Sequence, residues 1–399
     1  MHHHYDDEDI EIMRGVLGVE GLPYSLQMPD FKFNYQPEVC EISSANLVFG
    51  NSDYYLSGKV YGLEDWISHE GKLEGDLNFT SNFTNVDDLL EVLSGLGTDS
   101  DTLEVQMQEA GIEKESGPFI VPKDVNFTLH TNIRESVAFG NELQDLAGNI
   151  TINDGVAILD QVGFVCKAAR MQLTAMYKSP RPNHLFLGLD FHLLDIQIDE
   201  LIDMIPYIDT VVPMLSAFNG NADFHISAET YLFSDYSPKV STMRGAAALT
   251  GKNLVVLDNE TFDKIATLLM FKKKTENRID SLDVEMTLFR DEVELYPFLL
   301  SMDRYQLCAS GRHTLENAYN YHLEILHSPV PGRLAVDVKG VLPKLNFSLG
   351  KVQYEELYKP EKKGVVENHT LELKQMIRQA LESNVRETTR TRERENQMK

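Results

Sequence analysis

Cysteine is scarce in this chain: Cys40, Cys166 and Cys308 are the only three among 399 residues, and no two are close. That spacing argues against a disulfide framework and a thiolate zinc site, both of which use local Cys or His pairs. It leaves three small apolar side chains for the interior. Long hydrophobic runs are missing too. A membrane-spanning helix takes about 20 uninterrupted apolar residues, and the nearest approach, residues 204–218, is broken by Pro206, Asp209 and Pro213. The start, Met1-His2-His3-His4-Tyr5 followed by Asp6-Asp7-Glu8-Asp9, has the wrong charge for a signal peptide. Its three histidines read as the remnant of a tag and are set aside. The chain is therefore either soluble as it stands or lacks an N-terminal anchor.

Positive charge is in short supply. Lys and Arg number 36 against 62 Asp and Glu, for a net charge of −26. A surface of that sign repels phosphate backbones and anionic headgroups, which excludes nucleic acid as a partner of the body. The one basic cluster, Arg386, Arg390, Arg392, Arg394 and Lys399, reads as a solvated terminus. Catalytic signatures are absent as well: no Gly-x-Ser-x-Gly elbow, phosphate loop, His-Glu-x-x-His or Gly-x-Gly-x-x-Gly. Asp190 and His192 flank Phe191 on one strand face, but without a third ligand they read as solvated. Asp99 and Asp101 lack the rest of a calcium loop. The sequence thus predicts no enzyme, no metal and no cofactor.

What is present is alternation. In Val125-Asn126-Phe127-Thr128-Leu129, Ile150-Thr151-Ile152, Leu282-Asp283-Val284-Glu285-Met286-Thr287-Leu288 and Ala335-Val336-Asp337-Val338, every second residue is apolar. Period two makes one sheet face apolar and the other polar. Turns at Asn153-Asp154-Gly155, residues 180–183 and Arg290-Asp291-Glu292 are those of antiparallel hairpins. Three acid-started amphipathic stretches interrupt the strands: Thr84–Leu93, Gln197–Ile205 and Asn259–Leu269. Each has a polar start and apolar residues three and four apart, which predicts helices over 85–96, 198–206 and 259–271. Their apolar faces are Leu89, Leu90 and Leu93; Leu201, Ile202 and Ile205; and Phe262, Ile265 and Leu269. Residues 98–117 are polar and predict a mobile loop or a weak helix. Leu373, Met376, Ile377, Ala380 and Leu381 predict a last helix over 366–384, docked on an end of the sheet with a frayed tail beyond Val385.

The residues from Pro122 to Gly350 resemble the C-terminal region of the AsmA-like family, relatives of AsmA and TamB in the Gram-negative envelope. The likeness is carried by Ile150–Asp160, a strand, turn and strand; by Leu187–Ile198, leading into a helix; by Leu249–Leu257, leading into another; and by Ile279–Phe289, Val293–Phe298, Tyr305–Gly311 and Tyr319–Ser328. The resemblance implies a long antiparallel sheet curled into an open groove. It also implies a role in phospholipid movement at the outer membrane, a periplasmic location, and inner-membrane association through an N-terminal anchor that this chain does not carry.

The resulting expectation is a mainly β protein, an elongated antiparallel sheet with a few short amphipathic helices. Its organisation is an acidic lead-in (1–28), a first, diverged groove unit (29–121), an AsmA-like groove region (122–359), and a helix with a basic tail (360–399). The groove candidates are Val125, Phe127, Leu129, Ile150, Ile152, Val284, Met286, Leu288, Val336 and Val338, while Asn126, Thr128, Asp283, Glu285 and Asp337 are expected to face water. The same alternation also suits a filled sandwich or barrel. The leading functional reading is binding or conduction of phospholipid acyl chains; the alternative is a non-enzymatic periplasmic scaffold for envelope assembly.

Overall fold

A computed structural model describes residues 8–18, 24–36, 39–68, 71–94, 118–204, 218–256, 259–270, 278–329, 331–341 and 344–398. The polar stretch 98–117, the paired Asp99 and Asp101, Pro206 and the N-terminal histidines lie outside these residues. The first five strands are β1 (Glu8–Leu17), β2 (Leu26–Gln36), β3 (Val39–Phe49), β4 (Ser52–Tyr61) and β5 (Leu73–Asn85). Then come β6 (Val125–Ala138), β7 (Asn141–Asn153), β8 (Val156–Cys166), β9 (Arg170–Arg181), β10 (His184–Gln197), β11 (Phe218–Leu232) and β12 (Arg244–Val256). The last six are β13 (Arg278–Phe289), β14 (Glu292–Met302), β15 (Tyr305–Thr314), β16 (Ala318–His327), β17 (Ala335–Val341) and β18 (Lys344–Leu349). The helices are α1 (Leu63–Ile67), α2 (Val86–Ser94), α3 (Ile198–Met204), α4 (Asn259–Leu268) and α5 (Val365–Met398).

Every strand pairs with the next one in sequence, so the eighteen form one open sheet with β1 and β18 at its edges. At about 4.8 Å per strand, the ladder runs on the order of 80 Å along its contour. It crosses the expected boundary at 121/122 without a break, because β5 and β6 pair from Leu73 with Val125 through Asn85 with Val137.

That pairing is parallel, against the expectation of antiparallel strands throughout. The chain between β5 and β6 is long enough to cross back to the same end, which a hairpin cannot do. The consequence is topological. With β5 and β6 running the same way, β5, β10 and β12 all point in one direction, so α2, α3 and α4 leave the sheet along the same lip.

The curl comes from bulges. Register slips occur in many strand pairs, including β7–β8, β8–β9, β10–β11 and β11–β12. Asp145, Gln161, Asp195 and Asn253 take left-handed backbone angles at these slips, and an extra residue on one strand bends and twists the ladder. Polar side chains satisfy the freed amides: Gln161 N–H donates to Thr174 Oγ1 at 3.3 Å, and Asp195 N–H to Asp223 Oδ1 at 2.9 Å.

The C-terminal segment does not cap a sheet end. It doubles back across the polar face, and α5 lies over β10–β13. Val366, Thr370, Leu373, Ile377 and Ala380 recur four and three apart, and Leu373 is buried with Ile158 and Met176. Leu373 fits because Gly188 has no side chain; a Cβ there would lie 2.8 Å from its Cδ1. Leu381 is left exposed, and α5 continues to Met398 instead of fraying at 384. The expected solvation of the polar face therefore holds only in part. Glu285 accepts the N–H groups of Lys363 and Gly364 at 2.7 and 2.8 Å, Asp283 pairs with Lys362 at 2.7 Å, and Asp337 pairs with His322 at 2.7 Å.

Glu324 on β16 is the firmest anchor of this returning segment. It is fully buried and accepts N–H groups from Gln353 and Tyr354 at 2.6 and 3.1 Å, while Arg333 bonds both its carboxylate and the Tyr354 carbonyl. Glu324→Ala leaves the Gln353 and Tyr354 N–H groups without their acceptor and removes the carboxylate partner of Arg333, and we expect a loss on the order of 3 kcal/mol in chemical denaturation. Limited proteolysis should then cut first between residues 350 and 364.

Candidate functional site

The apolar face is continuous. One row of cross-strand neighbours passes through all eighteen strands. It runs Ile10, Phe33, Ile42, Gly58, Leu77, Leu129, Ile150, Leu159, Ala175, Leu189, Ala228, Gly245, Leu288, Val293, His313, Tyr319, Gly340 and Leu345. Apart from His313 every member is apolar or glycine. Two of the glycines are required by close approach: a Cβ on Gly58 would meet the Asp76 carbonyl at 2.2 Å, and one on Gly340 the Lys344 carbonyl at 2.4 Å. Both also have positive φ, 138° and 137°, where a side chain is strained.

All ten groove candidates belong to this face. Leu129, Ile150 and Leu288 are in the row itself; Val125, Phe127, Ile152, Val284 and Met286 stand two or four residues away on the same strands. Val338 joins through Tyr321, Gly311 and Leu295 to Met286, and Val336 stands two residues from it. The face is lined by successive apolar clusters. One spans β3–β8, the next β8–β14, meeting at Phe164 and Cys166; a third covers β14–β18 and shares Leu295 and Leu300 with the second. Of the three thiols, Cys40 and Cys308 are buried and Cys166 is half-buried, and none is in a disulfide.

Burial divides the face into a packed floor and an accessible strip. Val284 and Met286 are 3% and 5% exposed, Ile152 and Val125 are equally enclosed, while Phe127, Leu129, Ile150, Phe191, Ile226 and Leu249 are half-buried. The helices deepen the division. Leu89 of α2 packs with Phe49 and Phe79, and Ile198 and Leu201 of α3 with Leu193, Ile196 and Leu254. The side chains of Leu93 and Phe262 are outside the described residues. The helix α4 reaches further than its length suggests. Ile265, Leu268 and the following Leu269 pack on Tyr319, Tyr321, Val336 and Val338, and Lys264 sits 5.6 Å from the Phe347 ring of β18. Val336 and Val338 therefore lie beneath α4, and the accessible strip runs along the rest of the sheet.

The polar row next to the apolar one reads Asp9, Asn34, Glu41, Lys59, Asp76, Thr128 and Thr151, then turns apolar at Ile158, Met176 and Gly188. This break is the seat of α5, and Ile158 and Met176, with Val156 and Phe186 beside them on the same face, are the signal in the sequence that marks it. The pair Asp190 and His192, expected to be solvated and without a third ligand, is solvated only at His192 and has a third titratable side chain beside it. Asp190 is 5% exposed, and His225 of β11 stands beside both residues.

Among the described residues no helix is long and apolar enough to cross a membrane. Comparison with protein-family models, curated proteins and solved structures finds no match.

The two classes of trough residue should respond differently to charge. Val284→Asp or Met286→Asp places a carboxylate in a close-packed floor, and we expect a large drop in melting temperature, since an unpaired buried charge has no compensating partner. Ile226→Asp, at a half-buried position of the same face, should melt within a few degrees of the parent. Equal losses at all three positions, read by circular dichroism, contradict an accessible strip.

Proposed function

We propose that this chain is a lipid-handling protein of the bacterial envelope, in which the apolar face of the open sheet takes up phospholipid acyl chains while headgroups stay in water. One observation carries the reading: the apolar row crosses all eighteen strands without an Asp, Glu, Lys or Arg, and an open sheet has no second sheet to cover it. Each methylene moved from water into such a strip contributes about 0.8 kcal/mol. A chain shifted by one strand spacing meets nearly the same surface, so binding is firm while sliding costs little.

No bond is made or broken in this activity, and a reacting group is not needed. The resemblance to the AsmA-like family supports the same reading and extends it to a periplasmic location, inner-membrane association and outer-membrane lipid homeostasis. The scaffold alternative rests on the free edges of β1 and β18, where Met13, Val16 and Leu349 are exposed.

Organic extracts of the purified chain, analysed by mass spectrometry, should contain phospholipid in stoichiometric amounts. Ile226→Asp with Leu249→Asp should reduce the recovered lipid several-fold without unfolding the protein. A folded parent chain that carries no lipid, and takes up none from phosphatidylethanolamine vesicles, contradicts the reading and favours the scaffold.

A further inference from the structure

Away from the apolar face, at the point where α5 crosses the sheet, three potential ligands converge. His192 on β10 and His225 on β11 are direct cross-strand partners, and Asp190 stands two residues before His192 on the same face. Their rings stack with centroids 3.7 Å apart. Both Nε2 atoms turn to the Asp190 carboxylate, His225 at 2.7 Å from Oδ1 and His192 at 3.3 Å from Oδ2. Thr370 of α5 closes the site, donating from Oγ1 to Asp190 Oδ1 at 2.7 Å and lying 3.5 Å from His225 Nε2.

The geometry points to a binding site for a divalent transition cation of the Zn²⁺ class, held by Asp190, His192 and His225 and fastening α5 to the sheet through Thr370. The three ligand atoms all lie within 4.8 Å of one another. In a tetrahedral site with metal–ligand bonds near 2.1 Å, neighbouring ligand atoms are about 3.4 Å apart. His192 contacts Oδ2 and His225 contacts Oδ1, so for one carboxylate oxygen to serve the cation the carboxylate turns and the 2.7 Å His225 contact opens by roughly 0.7 Å. Two imidazole nitrogens and one carboxylate suit Zn²⁺ and its neighbours; Mg²⁺ and Ca²⁺ require six or more oxygens. The fourth position falls to water, reached past the 37%-exposed side chain of His192.

The Asp190 carboxylate is the group that both imidazoles and the Thr370 hydroxyl face. The Thr370 hydroxyl then acts as the outer hydrogen bond that orients the carboxylate. This places a metal-dependent fastening on the polar face, opposite the trough, and it does not depend on the lipid reading.

The test uses the full chain with His2, His3 and His4 changed to Ala, so that these three imidazoles contribute nothing. After dialysis against Zn²⁺ this protein should retain one ion per chain and melt at a higher temperature than in chelator, with no such shift from Mg²⁺ or Ca²⁺. Both His192→Ala and His225→Ala should weaken Zn²⁺ binding at least tenfold and abolish the shift, whereas Thr370→Val should weaken it less. Modification by diethyl pyrocarbonate, mapped by peptide mass spectrometry, needs no variant at the site: Zn²⁺ should protect His192 and His225 and leave His130 reactive. Failure of the parent chain to bind Zn²⁺, uptake unchanged in both histidine variants, or equal labelling of His192 and His225 with and without Zn²⁺ overturns the proposal.

Discussion

Hydrogen bonding between neighbours can tie any number of strands into one ladder, but it does nothing to remove the apolar side of that ladder from water. In a sandwich a second sheet does this, and in a barrel the sheet does it to itself. Here eighteen strands pair in sequence and the two edges stay apart, so the apolar face is covered from within the chain or by something the chain binds. The features that matter most for function follow from that requirement: bulges that curl the sheet, helices gathered on one lip, and an interior strip that remains half-buried after these resources are used.

The single parallel pair is what gathers the helices. If β5 and β6 were antiparallel, α2 would leave the sheet on the lip opposite to α3 and α4. With the reversal, one lip bears three amphipathic helices, and α4 reaches from β12 to β18 to cover Val336 and Val338. The outer face has a different solution. It is mostly polar and solvated, and where Ile158 and Met176 interrupt the pattern α5 is laid over them and held through Glu285, Glu324 and Asp190.

Much of this is legible in the sequence because a strand has period two. Alternation in Val125–Leu129 or Leu282–Leu288 fixes which side chains share a face, whatever the register, so the ten trough candidates fall together. The short helices are legible from their acidic first turns and apolar spacing. The rest depends on partners far along the chain. Alternation cannot report that β6 lies parallel to β5, that α4 reaches six strands away, or that His225 stands opposite His192. The two histidines are 33 positions apart and become neighbours only through the β10–β11 register. Burial of Val284 as opposed to half-burial of Ile226 is equally invisible, since both are apolar residues at alternating positions of the same face.

The central claim is that the half-buried strip of the apolar face is where acyl chains lie. Photocrosslinking tests it most directly: a photoreactive phenylalanine analogue is placed at Phe191 or Phe298 on the strip, or at Lys252 on the opposite face, and the adducts are weighed. Lipid adducts from Phe191 and Phe298, with none from Lys252, are the predicted result. Adducts of equal yield from both faces, or none from the strip in protein that carries lipid, would contradict it.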